Sequence, residues 1–223
     1  MYKETLVNLL VSSGALRFGE FTLNSGRVSP YFMNAGMFCS GSHIEILGKI
    51  YAEHIKNTLA DGEYDILFGP AYKGIPLAIS AACALYRDFG VGKQYSFNRK
   101  EAKDHGEGGL FVGAEIKDGS RLILIEDVVT SGTAVRAVYP ILTAHAKIEL
   151  KHMFILVDRM EKGVNGNTAP KEIEAEFGIK VHPVINTKDI IDLLHNREID
   201  GSIILTDEIK GKMERYMNIY CGT

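Results

Sequence analysis

The sequence holds only three cysteines, Cys39, Cys83 and Cys221, an odd number with no CxxC pair. That argues against a disulfide framework or a thiolate zinc site and fits a reducing cytosol. The seven histidines show no HExxH spacing. No GxGxxG follows an apolar strand, which disfavours a dinucleotide site, and no GxxxxGK[ST] occurs, which disfavours a P-loop nucleotidase. Charge of one sign is lacking too. Lys and Arg number 25 against 28 Asp and Glu, for a formal net charge of -3, whereas a duplex nucleic-acid binder carries a strong basic surplus. The longest largely apolar run, Ile75 to Tyr86, is about 12 residues, short of the roughly 20 that span a membrane. Met1-Tyr2-Lys3-Glu4-Thr5 lacks the charged-then-apolar run of a signal peptide. A cytoplasmic, soluble protein without nucleic-acid or membrane partners is expected.

What is present is average for a globular chain. The 223 residues are 46% hydrophobic and 24% charged, enough to bury the core of one domain spanning 1–223. Leu6, Leu9 and Leu10 stand at helical spacing, with Gly14 as a stop. From Phe18 to Phe38 the pattern breaks into Gly, Ser, Asn and aromatic residues, which predicts hairpins or irregular strands. A helix is predicted around Ile44 to Leu59. Then short apolar runs at Asp65–Phe68, Gln94–Phe97, Arg121–Ile125 and Met153–Val157 alternate with helical patterns at Ile75–Phe89 and Thr133–His145. Val181–Ile185 is a further strand. Runs apolar at every position belong to strands buried on both faces. The fold expected is α/β, a doubly wound, mainly parallel sheet flanked by helices. Tail helices at Lys188–His195 and Asp207–Tyr216 should pack on the sheet edge.

Ligands of such sheets bind beyond the carboxyl ends of the strands, so the residues after each apolar run carry the chemistry. After Leu122-Ile123-Leu124-Ile125 come Glu126 and Asp127, then Val128, Val129, Thr130, Ser131, Gly132, Thr133 and Ala134. Backbone N–H groups at a helix N-terminus cradle a phosphate, and the hydroxyls add donors. Two carboxylates beside it suit sugar hydroxyls, or a magnesium ion that bridges to more phosphate. Alone, Ser-Gly-Thr also reads as an ordinary helix N-cap. After Phe68, the Gly69-Pro70-Ala71-Tyr72-Lys73-Gly74 turn places Lys73 at a helix start, where an anion would offset the dipole penalty. A solvated surface lysine is the alternative. Asn98 to Gly109 has three glycines and balanced charge, and predicts a mobile loop that closes over substrate or is merely solvated. Asp158-Arg159 follows the Met153 strand, and Arg159 either grips a ligand carboxylate in a bidentate pair or forms a salt bridge.

These segments together resemble the type I phosphoribosyltransferases, and among them the members that use orotate. The resemblance is carried by Phe21-Thr22-Leu23-Asn24-Ser25-Gly26-Arg27, Ser29-Pro30-Tyr31-Phe32-Met33-Asn34-Ala35-Gly36, the Gly69–Gly74 turn, the Phe97–Gly109 loop, the Glu126–Ala134 cradle and Asp158-Arg159. It implies transfer of a 5-phosphoribosyl group from phosphoribosyl pyrophosphate to orotate, with magnesium as cofactor, giving orotidine 5′-monophosphate in pyrimidine biosynthesis. By position, Val129 to Ala134 would hold the 5′-phosphate, and Glu126 and Asp127 the ribose hydroxyls. Tyr72, Lys73, Arg99, Lys100, Lys103 and His105 would contact the pyrophosphate, with Lys103, Glu126 and Asp127 catalytic. Phe32, Met33, Thr130 and Arg159 would frame orotate, Arg159 near its carboxylate. No direct side-chain ligation of the metal is implied. The family fold adds a small hood formed by N-terminal (1–40) and C-terminal segments. It also implies a homodimer in which loop 99–109 is shared across subunits. One departure is Asn24, where the family usually has lysine, a position that touches phosphoribosyl pyrophosphate; Arg27 would offset part of that loss. Another is Glu126, where many members have aspartate. A purine-salvage phosphoribosyltransferase is the nearest rival, disfavoured by Arg159 and the loop. A nucleic-acid-binding regulator would need a basic face that the composition lacks.

Overall fold

The computed structural model of the chain describes residues 2–23, 25–103, 109–129, 132–163, 165–199 and 201–222, with only the backbone at 102 and 103. The sequence expectations at Asn24, His105, Thr130 and Ser131, and for the Lys103 side chain, fall outside what is described. In chain order the elements are α1 (Tyr2–Ser12), β1 (Leu16–Thr22), β2 (Val28–Met33), α2 (Gly41–Thr58), β3 (Ile66–Phe68) and α3 (Gly74–Phe89). They continue with β4 (Gln94–Lys103), β5 (Gly109–Gly113), β6 (Arg121–Val129), α4 (Thr133–His145), β7 (Glu149–Asp158) and α5 (Ala169–Phe177). The tail holds β8 (Lys180–Asn186), α6 (Thr187–Leu194), the short pair β9 (Glu198–Ile199) and β10 (Ser202–Ile203), and α7 (Asp207–Tyr220).

Six strands form the central sheet in the order β5-β4-β3-β6-β7-β8. All neighbouring pairs are parallel except β4 with β5. Alternate residues of β6 and β7 point to opposite faces, and both faces are covered. Ile123, Ile125, Phe154 and Leu156 join Leu47, Tyr51, Leu77 and Leu85 of α2 and α3 in one core cluster. Leu122, Leu124, Met153 and Ile155 join Val135, Leu142 and Ile173 of α4 and α5 in the other. That double burial is why these strands read as unbroken apolar runs. The chain moves from β3 to β4 on one side, then crosses back to lay β6 on β3's other side. The strand order therefore reverses between β3 and β6, and the crevice beyond their carboxyl ends is where such folds bind ligands.

The N-terminal hairpin of β1 and β2 stands apart from this sheet and is covered by α7. Tyr31 of β2 meets Tyr216 of α7 edge-on, with ring centroids 6.2 Å apart. Arg27 donates to the Lys162 carbonyl at 2.9 Å and lies over the Tyr220 ring, so hairpin and tail are joined. The C-terminal helix thus packs on the hairpin rather than the sheet edge, while α6 does sit against the edge strand β8. Tyr216 and Met213, buried at helical spacing, are the reason.

Two further expectations change. Strand β4 runs on through Lys103 and pairs antiparallel with β5, so the segment expected as loop from Asn98 to Gly109 is strand at both ends. Arg99, Lys100 and Glu101 are half-buried or exposed, and an arm wet on both faces leaves no apolar alternation to read. Likewise β6 extends to Val129, so Glu126 and Asp127 lie within the strand, not after it. Helix α5 was not foreseen, because only Ala169 and Ile173 of its nine residues are buried.

Candidate active site

Strand β3 pairs with β6 only as far as Phe68 opposite Leu124. Beyond that point β6 has no strand on its β3 side, and the Gly69–Gly74 turn fills the space. A Cβ on Gly69 would lie 2.3 Å from the Gly74 carbonyl oxygen, and one on Gly74 would lie 2.7 Å from the Ile125 carbonyl oxygen. Only glycine permits this approach. The Ala71–Tyr72 peptide is cis. Tyr51, fully buried on α2, donates its hydroxyl to the Glu126 carbonyl at 2.6 Å, satisfying a backbone acceptor that β3 no longer reaches.

The turn delivers Lys73 to the acidic pair. Its Nζ lies 3.2 Å from Asp127 Oδ2, with the lysine side chain 61% exposed and the aspartate 10%. Asp127 Oδ1 accepts from the Val128 N–H at 2.7 Å, and Glu126 Oε1 accepts from the Asp127 N–H at 3.1 Å. Burial pushes the Glu126 carboxyl up to about 8, and the adjacent Asp127 charge adds to the effect. With the charged form of one member disfavoured, the pair repels an incoming phosphate less than two ordinary carboxylates would.

The cradle begins where β6 ends. Gly132 caps α4 in the left-handed region at φ 70°, and Thr133 and Ala134 open the helix, whose first N–H groups lack intrahelical acceptors. Val128 and Val129 complete the strand. The described part of the cradle therefore consists of Glu126 and Asp127 near the end of β6 and, later in the chain, the N-terminus of the 13-residue helix α4. The β4–β5 arm reaches the same crevice. Lys100 Nζ lies 4.8 Å over the Tyr72 ring, Asn98 Oδ1 accepts from the Ala71 N–H at 3.1 Å, and Arg99 donates to the Gly109 carbonyl at 2.9 Å. Tyr72, Lys73, Lys100, Glu126 and Asp127 thus gather around one crevice, whereas Arg99 is held to the Gly109 carbonyl and no contact among the described residues brings it there. Asn98 and Tyr51, which hold the crevice in shape, escaped the sequence reading.

The base-side residues are more dispersed. Arg159 is buried and bound to Glu161, whose Oε1 accepts from its Nε at 3.0 Å and its Nη2 at 2.5 Å. Its guanidinium lies 4.8 Å from the Tyr31 ring centroid. Strand alternation puts Met33 on the face of Tyr31, whereas Phe32 turns to the other face, against Phe21 and Arg17. Arg27, read as an offset for Asn24, is taken up by Lys162 and Tyr220.

The acidic pair fits a magnesium ion as a shared ligand. Among the described residues no group of three His, Cys, Asp or Glu side chains converges to hold a metal, whereas magnesium is commonly held by one or two carboxylates together with substrate phosphates. No helix among the described residues is long and apolar enough to cross a membrane.

A reversed parallel sheet, an acidic pair on the strand beside the switch and a phosphate-type helix start define a phosphoribosyltransferase, and residues 41–184 match the family described as "Phosphoribosyl transferase domain". The chain is 42% identical over 219 residues to the orotate phosphoribosyltransferase of Clostridium beijerinckii, covering 98% of this chain and 97% of that one. It is 47% identical over 217 residues to that of Bifidobacterium adolescentis, covering 95% and 94%. The crystal structure of the Francisella tularensis orotate phosphoribosyltransferase superposes with a TM-score of 0.82 at 34% identity, covering 98% of this chain and all of that one. The chain belongs to the orotate phosphoribosyltransferase family.

Proposed function

We propose that the chain transfers the 5-phosphoribosyl group of phosphoribosyl pyrophosphate to orotate, releasing pyrophosphate and forming orotidine 5′-monophosphate for pyrimidine biosynthesis. The observation that supports the site assignment is the Lys73–Asp127 ion pair across the switch point, which brings a cation and a carboxylate from two separate segments into one crevice. In the reaction the anomeric C–O bond to pyrophosphate breaks and a C–N bond to the base forms. Positive charge grows on the sugar and negative charge on the leaving group. Glu126 and Asp127 face the first through the ribose hydroxyls, and Tyr72, Lys73, Arg99, Lys100, Lys103 and His105 face the second. The amides from Val129 to Ala134, with the Thr130, Ser131 and Thr133 hydroxyls, hold the 5′-phosphate. Arg159 takes the carboxylate of orotate beside Met33 and Thr130, while Phe32, packed against Phe21 and Arg17 on the opposite face of β2, stays outside that contact.

Magnesium, when bound, neutralises pyrophosphate charge, and Asp127 and Glu126 are the side chains that would share it. A homodimer, with the arm around 99–109 completing the neighbouring site, suits an arm that projects from the sheet edge as β4 and β5 do. Cys39, Cys83 and Cys221 are free thiols, which suits a reducing cytoplasm. The test is a parallel assay with orotate, hypoxanthine and uracil in the presence of phosphoribosyl pyrophosphate and magnesium. Consumption of orotate alone supports the reading, and consumption of hypoxanthine in its place overturns it.

A further inference from the structure

Arg159 is held by more than a simple ion pair. One carboxylate oxygen, Oε1 of Glu161, accepts from Arg159 Nε at 3.0 Å, from Arg159 Nη2 at 2.5 Å and from the Tyr216 hydroxyl at 2.8 Å. The arginine and glutamate side chains are 7% and 15% exposed. The Tyr31 ring underlies the guanidinium, and the Tyr31 hydroxyl contacts Thr187 Oγ1 at 3.2 Å. Thr187 in turn donates to the Arg159 carbonyl at 3.1 Å. The ring of contacts closes through β2, the turn after β7, α6 and α7. Arg159 Nη1 alone makes no hydrogen bond or ion pair among the described residues.

We infer that Glu161 tunes the base site: it shares the Arg159 guanidinium with the ligand's carboxylate and so sets how firmly an anionic base or nucleotide is retained. This rests on the reading of Arg159 as the group that meets that carboxylate. Arg159 and Glu161 are already paired before a ligand enters. A ligand carboxylate at Nη1 then brings a second anion to one buried cation, and the excess charge weakens its hold. Charge-compensated retention suits a group that must bind an anionic substrate and release a product bearing the same carboxylate. Tyr216 acts in the opposite sense. Its hydroxyl draws on Oε1 and lessens the glutamate's grip on the arginine, so the C-terminal helix takes part in setting the balance.

The sign follows from the charges. Glu161→Gln preserves shape and an acceptor oxygen but leaves the buried guanidinium uncompensated, so a ligand carboxylate gains. Tyr216→Phe leaves the glutamate's charge wholly on Arg159, so a ligand carboxylate loses. Glu161 and Tyr216 are positioning residues here, because neither touches the ligand. The discriminating readout is inhibition by two nucleotides that differ only in the carboxylate, orotidine 5′-monophosphate and uridine 5′-monophosphate, measured on the full chain.

Glu161→Gln is expected to tighten the carboxylated nucleotide about tenfold, a modest share of what close buried charge pairs contribute, and to leave the uridine nucleotide unmoved. Tyr216→Phe, the milder change should Glu161→Gln fold poorly, is expected to weaken the carboxylated nucleotide about threefold, the scale of one net hydrogen bond. Equal shifts for both nucleotides, or no shift in either variant, would mark a purely structural role and overturn the inference. A wild type that does not prefer the carboxylated nucleotide, a preference Arg159→Gln should abolish, overturns the reading of Arg159 and the tuning with it. A wild type that does prefer it, with an unmoved ratio in the variants, overturns the tuning alone.

Discussion

Lys73 and Asp127, 54 residues apart in sequence, meet at 3.2 Å across the gap between β3 and β6. The contact exists because the Gly69–Gly74 turn continues β3 exactly where β6 loses its strand neighbour. Both partners come from segments whose side chains face the crevice, one largely exposed and one buried. An ion pair half in water adds little stability, about 0–1 kcal/mol, so its value lies in placement.

Lys73→Met should therefore leave the fold almost unchanged and damage turnover. The expected loss in kcat/KM for phosphoribosyl pyrophosphate is about 10²-fold, the scale of one preorganised charged donor, with a melting temperature within about 3 °C of wild type. Steady-state kinetics and a thermal melt on the same sample check it. A large fall in melting temperature with normal kinetics would reassign Lys73 to the scaffold.

Lys103→Ala addresses the arm. Under the leaving-group role proposed for Lys103, this loss should lower kcat on the order of 10²–10³-fold, with the circular dichroism spectrum preserved. An unchanged kcat would remove Lys103 from the mechanism.

Glu126 supplies a pH signature. Its carboxyl is raised from 4.5 to about 8 by burial first and the Asp127 charge second. An acid whose folded pKa lies above its unfolded value binds more protons in the folded state, so its contribution to stability is fully present below about pH 4.5 and is lost as pH rises toward 8. Glu126→Gln mimics the protonated form and escapes this loss. The melting temperature of the variant minus that of wild type should therefore grow between pH 5 and pH 8. A difference that stays flat across that interval would show that Glu126 titrates as an ordinary surface acid.

Gly74→Ala tests the close approach of the turn to β6. The added Cβ would stand 2.7 Å from a backbone oxygen, which must move because no flexible side-chain end is there to yield. Overpacking of this kind costs about 1–3 kcal/mol, and activity should fall with it because Lys73 is carried by the same turn. A variant with wild-type melting and kinetics would mean that the turn has room the structure does not show.

The sequence disclosed the parts of this protein whose environment is repeated along the chain. Leu122 to Ile125 declare a buried parallel strand because the α2–α3 layer lies on one side of them and the α4–α5 layer on the other. The crevice segments were legible for a related reason, since each follows a short apolar run even where the strand itself continues, as β6 does through Glu126 and Asp127. What stayed hidden depends on partners remote in sequence. Tyr51 serves a backbone carbonyl 75 residues away and Asn98 a backbone N–H 27 residues away, and a backbone group has no residue type to recognise. The β4–β5 arm was hidden by its charge, because Arg99 to Glu101 fall in the irregular stretch between the Asn98 and Lys103 pairings and carry no apolar alternation. Glu161 lies two residues from Arg159, yet only the fold brings Tyr216 to the same oxygen.

The claim beneath all of this is that a ribose 5-phosphate lies with its phosphate on the amides from Val129 to Ala134 and its hydroxyls toward Glu126 and Asp127. A crystal grown with orotidine 5′-monophosphate tests it in one step. The phosphate density is expected at the start of α4 and the ribose O2 and O3 atoms within hydrogen-bond distance of the two carboxyl groups. Nucleotide density at any other place, with that helix start bare, would contradict it.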